Sequence, residues 1–219
     1  MSENIVDNYG WGSAEGPDSC NYISPTILEM LNQLRVGRVL DLGAGNGKLC
    51  SQIASAGHYV AGVEYDKSGV EIARKSYPDI KFYQFGVQDD PALLLEHEQE
   101  AFDAVVSTEV IEHLFSPHLL PRYAYGLLKD NGYLVITTPY HGYLKNLALS
   151  IFDKWDFHHT PLWHGGHIKF WSRATLARLL NDNGFDVVDF RGVGRMPFLW
   201  KSMILVSKKR PEALVGASS

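Results

Sequence analysis

The feature that most constrains this chain is a rhythm. Short apolar runs of strand character alternate with stretches of helical apolar spacing across more than half of its length. "RVLDLG" leads into a glycine turn and "KLCSQIASAG", which Gly57 closes. "HYVAGVEYD", "SGVEIARKSY" and "KFYQFG" follow, then an acidic helical piece around 92–98 and the run "FDAVVS". A helix around 119–128 stops at Asp130-Asn131-Gly132, and "YLVITT" comes after it. Such alternation predicts a parallel sheet covered on both faces, because parallel neighbours need a crossover between them. Upstream, Ser24 can cap a helix with Pro25 at its first position and "TILEMLNQL" as its body. Downstream, Ser172 opens "SRATLARLLNDNG" and Gly184 ends it. "FDVVDFRGV" and "SMILVSKK" then predict a closing hairpin, an antiparallel edge on a seven-stranded, mostly parallel α/β sheet. The expected layout is an N-terminal lid and helix (1–35), one domain (36–210) and a tail (211–219).

A chain of 219 residues can bury the core of one such domain. The formal net charge of −5 argues against a nucleic-acid partner, which would call for a basic face. Cys20 and Cys50 are the two cysteines, so no disulfide framework is implied. The first residues lack a signal-peptide pattern, and no apolar run reaches spanning length. A cytoplasmic location is expected.

"VLDLGAGNGKL" sets Gly43, Gly45 and Gly47 between a strand and a helix. The spacing is not that of the dinucleotide fingerprint, and Asp41 stands where a pyrophosphate would meet a negative charge. A ligand without phosphates, carrying an ammonium and a sulfonium, would welcome that carboxylate; S-adenosylmethionine is one. Glu64 ends the second strand and can accept both ribose hydroxyls, while Tyr65 can pack on adenine. Val87 and Gln88, after the third strand, are placed for the adenine edge. Alone, either the turn or the glutamate reads as structural; together, at the ends of consecutive strands, they favour a cofactor site.

These motifs resemble the class I S-adenosylmethionine-dependent methyltransferases, over roughly 36–138 and again in the closing hairpin. The resemblance implies a Rossmann-like fold, with Asp41 and the turn Gly43-Ala44-Gly45 at the methionine end, Glu64 on the ribose, and backbone near Ser107 lining the methionine pocket. "EVIEHL" and the N-terminal "WGSAEG" are most similar to the ubiquinone-biosynthesis O-methyltransferase group.

"STEVIEHL" carries two carboxylates and an imidazole within five positions. If Glu109 opens a helical turn, Glu112 and His113 fall on its face at i+3 and i+4. Such convergence is costly to desolvate unless a cation neutralises it. The alternative is a helix N-terminus whose acids the dipole favours. His167 in "WHGGHIKFWS" is the candidate fourth ligand. E-x-x-E-H followed by that histidine resembles the metal quartet of small-RNA 3′-terminal 2′-O-methyltransferases. The resemblance implies Mg²⁺, Mn²⁺ or Zn²⁺ on Glu109, Glu112, His113 and His167, lowering the pKa of a substrate hydroxyl. His113 and His167 are thus both catalytic candidates.

Residues 139–171 are rich in His, Trp and Tyr. "YLKNLALSIFDKW" (143–155) is apolar around nearly its whole circumference and too short to span a bilayer. It reads first as a helix packed over the sheet, with a substrate lid, a homodimer contact or a peripheral membrane contact as alternatives. Tyr9 and Trp11 can close the site from the other side, and His158 or His159 can serve as a base. The function expected is O-methylation of a small aromatic acceptor, a phenol, catechol or quinol. The rivals are RNA 3′-terminal ribose methylation and a non-catalytic cofactor-binding interaction domain.

Overall fold

The computed structural model describes residues 11–16, 18–159, 161–162 and 165–211. Its strands are β1 (Arg38–Leu42), β2 (Tyr59–Glu64), β3 (Lys81–Gln84), β4 (Phe102–Thr108), β5 (Leu128–Pro139), β6 (Phe185–Val193) and β7 (Ser202–Lys209). Its helices are α1 (Cys20–Leu34), α2 (Lys48–Ser55), α3 (Lys67–Ser76), α4 (Pro91–Glu98), α5 (Leu119–Leu127), α6 (Tyr143–Ile151), α7 (Trp155–His159) and α8 (Arg173–Asp182). A 3₁₀ turn, Ile111–His113, follows β4.

The sheet order is β3-β2-β1-β4-β5-β7-β6. β1 to β5 pair in parallel, and β7 lies antiparallel between β5 and β6. This is the seven-stranded α/β sheet with an antiparallel edge, and the hairpin strands occupy the two runs read for them. Side-chain alternation splits the core in two. Val39 of β1 faces Ile27, Leu31 and Ile53 from α1 and α2. Leu40 and Leu42 face Leu94, Leu120, Leu127, Leu176 and Leu180 from α4, α5 and α8. The order reverses between β1 and β4, so the connections leave a crevice at the strands' carboxyl ends.

Three local expectations change. α1 begins at Cys20, so Pro25 lies inside the helix and cannot donate to a carbonyl one turn back. The buried series Ile23, Ile27, Met30, Leu31 starts before the proline and carries the helix through it. Asp130-Asn131-Gly132 belongs to β5 as an irregularity: Phe102 pairs with Leu128, Ala104 with Tyr133, and Asn131 takes φ 62°. The 143–155 segment forms two helices, separated at Asp153 with φ 50°. α8 keeps its expected cap, with Ser172 and Thr175 forming a reciprocal capping box.

Candidate functional site

A cavity of about 750 Å³ opens at the carboxyl ends of β1, β2 and β4. Asp41, Gly43, Ala44, Glu64, Tyr65, Val87 and Gln88 line it, together with Glu109, His113 and His167. Gly45 and Ser107 stand behind the lining. Gly45 N–H donates to Glu64 at 2.8 Å, and the Ser107 hydroxyl donates to Leu42 O at 2.7 Å.

The two acids at the cofactor end are held differently. Glu64 accepts from Gly45 N–H on one oxygen and from Asp66 N–H on the other, each at 2.8 Å. Burial raises its pKa against these two donors. Asp41 is 1% exposed and accepts from the Cys50 thiol at 3.3 Å, while its Oδ1 is buried with no hydrogen-bond partner among the described residues. Burial pushes its carboxyl up to about 7, and the Glu64 charge adds to the rise. A buried, half-satisfied carboxylate facing a cavity gains most from an incoming cation.

The glycines place backbone where a side chain would not fit. At Gly43, φ is +87° and a Cβ would run into Val110. At Gly45, φ is +52° and a Cβ would overlap the Trp11 ring. Trp11 lines the cavity, and Asn46 Nδ2 pins its segment by donating to Ser13 O and Glu15 O at 2.9 and 2.8 Å. Tyr9, Trp163 and His164 lie outside the described residues.

At the other end, the expected single helical face does not form. Glu109 takes φ 52° and the next residues make only a 3₁₀ turn, so its carboxylate swings toward the sheet. It accepts from Thr137 Oγ1 at 2.8 Å and Ser202 Oγ at 3.2 Å, and burial pushes it up to about 7. Glu112 is fully buried and accepts from Thr138 Oγ1 at 3.0 Å. Among the described residues its Oε1 has no hydrogen-bond partner; His167 Nε2 lies 3.9 Å away. Burial, and then the Glu109 charge, hold its pKa well above the ordinary carboxyl value.

His113 Nδ1–H donates to Gly165 O at 2.8 Å, which fixes the ring. Glu112 O accepts from Ile168 and Lys169 N–H at 2.9 and 3.0 Å, docking the His167 segment on the turn. Glu112, His113 and His167 offer ligand atoms all within 4.8 Å of one another; Glu109 stands outside that trio. Burial lowers both imidazoles, His167 to about 4 with His113 adding to the effect. The hydroxyls of Thr137, Thr138 and Ser202 hold the glutamates; the doubled threonine ending "YLVITT" is a sequence signal for the first two, and Ser202 carries none. Ser24, read as a cap, instead lines the cavity, as do Cys20 and Thr108.

Among the described residues no helix is long and apolar enough to cross a membrane. The sequence profile described as "Methyltransferase domain" matches residues 19–189. A ubiquinone biosynthesis O-methyltransferase of Neisseria meningitidis serogroup C is 29% identical over 198 residues, covering 86% of this chain and 81% of that protein. The protein of the same name from Bradyrhizobium diazoefficiens is 31% identical over 178 residues, covering 77% and 66%. The crystal structure of magnesium protoporphyrin IX methyltransferase from Synechocystis PCC 6803 with bound SAH superposes with a TM-score of 0.63 at 18% identity, over 85% of this chain and 81% of that one. With that profile over most of its length, a matching sheet, and acids and glycines at its crevice, the chain belongs to the methyltransferase-domain family and is an S-adenosylmethionine-dependent enzyme similar to the ubiquinone-biosynthesis O-methyltransferases.

Proposed function

We propose that this enzyme methylates the oxygen of a small aromatic acceptor, a phenol, catechol or quinol. The observation that carries the reading is the continuity of the cavity: Asp41 and Glu64 line one end, and Glu109, His113 and His167 line the other. A hydroxyl held at the second end faces a methyl sulfonium held at the first. Asp41 meets the cationic methionine portion, Glu64 accepts from the ribose with its remaining lone pairs, and Tyr65 covers the base. The acceptor oxygen attacks the methyl carbon, the carbon–sulfur bond breaks, and neutral S-adenosylhomocysteine leaves. With no ion on these residues, the hydroxyl proton passes to the Glu112–His167 pair, 3.9 Å apart, where an ionised Glu112 stabilises the imidazolium.

The trio Glu112, His113 and His167 suits a divalent metal: one carboxylate oxygen and two imidazole nitrogens, with a buried carboxylate oxygen lacking a partner. When bound, such an ion supplies Lewis acidity that lowers the hydroxyl's pKa. An acceptor with an apolar tail also suits the outer face of the insert, where Tyr143, Ile151, Phe152 and Phe157 are exposed. That face fits contact with a lipid surface.

Transfer of label from S-adenosylmethionine to a panel of catechols tests the reading. We expect O-methylated product, and a kcat at least tenfold lower in Glu112→Ala and His167→Ala. Label found only on nitrogen or carbon acceptors would overturn the assignment.

A further inference from the structure

The insert holds a second set of nitrogen donors that methyl transfer does not use. His141 follows the end of β5, and its backbone N–H donates to Trp171 O at 3.2 Å. The chain leaves through α6, reverses at Asp153 and returns as α7, bringing His158 and His159 back over His141. One ring nitrogen from each histidine lies within 4.8 Å of the other two. His141 is 9% exposed, and its Nε2 and that of His159 are both buried with no hydrogen-bond partner among the described residues. Phe170 meets the His141 and His159 rings edge-on at 5.2 and 5.0 Å, and Trp155 covers His159 at 4.2 Å. Packing alone explains aromatic contacts, but not two buried ring nitrogens that find no partner among the described residues.

We propose that His141, His158 and His159 form a binding site for a borderline transition-metal ion, Zn²⁺ first, that clasps α7 onto the end of β5. The donor set selects the metal: three imidazoles without an oxygen ligand suit Zn²⁺, Co²⁺ or Ni²⁺, whereas Mg²⁺ and Ca²⁺ demand oxygens. Tetrahedral bonds of about 2.0–2.1 Å set ligand nitrogens ~3.3 Å apart, so the rings need to close by at most about 1.5 Å. Side-chain rotation on a five-residue helix supplies that movement. The neighbouring ammonium of Lys145, which donates to Tyr140 O at 2.8 Å, opposes a cation, and burial lowers its pKa to about 8. Three protein ligands leave a fourth position for water.

The test is stoichiometry. Protein stripped with a chelator is titrated with Zn²⁺ by calorimetry, for wild type, H158A/H159A, H113A/H167A and the quadruple variant. The expected result is a loss of one equivalent between wild type and H158A/H159A, and again between H113A/H167A and the quadruple variant. This difference holds whether or not the Glu112 trio binds metal, so the two proposals fail separately. Equal stoichiometry in wild type and H158A/H159A overturns the site. Should the double alanine variant lose its circular dichroism, H158Q and H159Q are titrated singly. Each is then expected to weaken Zn²⁺ at least tenfold, and unchanged affinity in both overturns the site.

Discussion

Asp41 and Glu64 end strands that are paired on both sides, β1 between β2 and β4, β2 between β1 and β3. His113 and His167 sit instead on a 3₁₀ turn and on an irregular segment joined to it by a few backbone hydrogen bonds. The cofactor end of the cavity is thus fixed by the same ladders that make the fold. The acceptor end is fixed by single side-chain bonds from Thr137, Thr138 and Ser202 to its glutamates and by the docked His167 segment, beside an insert whose large side chains are mostly in water. The difference teaches that the cofactor site and the fold stand or fall together, whereas acceptor choice can change within 139–171 without touching the sheet.

The sharpest way to break this comparison is Glu64→Ala. It leaves the Gly45 and Asp66 N–H groups without their acceptor, at roughly 1–3 kcal/mol each. We expect a clear fall in the urea midpoint and loss of S-adenosylhomocysteine binding by about a hundredfold or more. A smaller blow is Gly45→Ala, which forces a Cβ into a left-handed backbone at about 1–2 kcal/mol and displaces Trp11. Its cofactor affinity should fall about tenfold, with a change in tryptophan fluorescence.

The next effect is set by pH. The Asp41 carboxyl is raised from 3.8 to about 7 by burial, so in the cofactor-free protein it is mostly protonated at pH 6. A cationic ligand selects the ionised form. Affinity for S-adenosylmethionine should therefore rise, by roughly fivefold from pH 6 to pH 7, with proton release seen as a buffer-dependent binding enthalpy. For the cofactor-free protein the sign is opposite. A raised carboxyl contributes stability that is fully present below pH 3.8 and is lost as the pH climbs through about 7.

The smallest effect belongs to the insert. Phe157→Ser, at a side chain 85% exposed, should leave urea stability within about 0.5 kcal/mol and cofactor affinity unchanged. Retention on lipid vesicles is the quantity expected to fall.

The same contrast decides what could be read from the sequence. Apart from the early start of β5, the strand positions, the hairpin and the α8 cap were legible because period-two apolar runs, capping residues and glycines act locally. Asp41 and Glu64 were legible for the same reason, since each ends a recognisable strand. Glu109 was not. Its direction depends on a left-handed backbone and on Thr137 and Ser202, which are 28 and 93 residues away along the chain. Pro25 misled because the buried spacing beginning at Ile23 outweighs one missing hydrogen bond. Glu112, His113 and His167 were grouped by pattern, and the folded chain brings their ligand atoms together, but the carbonyl that orients His113 comes from the folded chain alone.

The most direct measurement is a calorimetric titration of S-adenosylmethionine into wild type and Asp41→Asn, repeated at pH 6 and pH 8. Removing the charge while keeping the shape should weaken binding at least tenfold at pH 8 and abolish the pH dependence between the two conditions. Equal affinity in the two proteins, with the pH dependence intact in the variant, would contradict the claim that a buried carboxylate at the end of β1 holds the cationic cofactor.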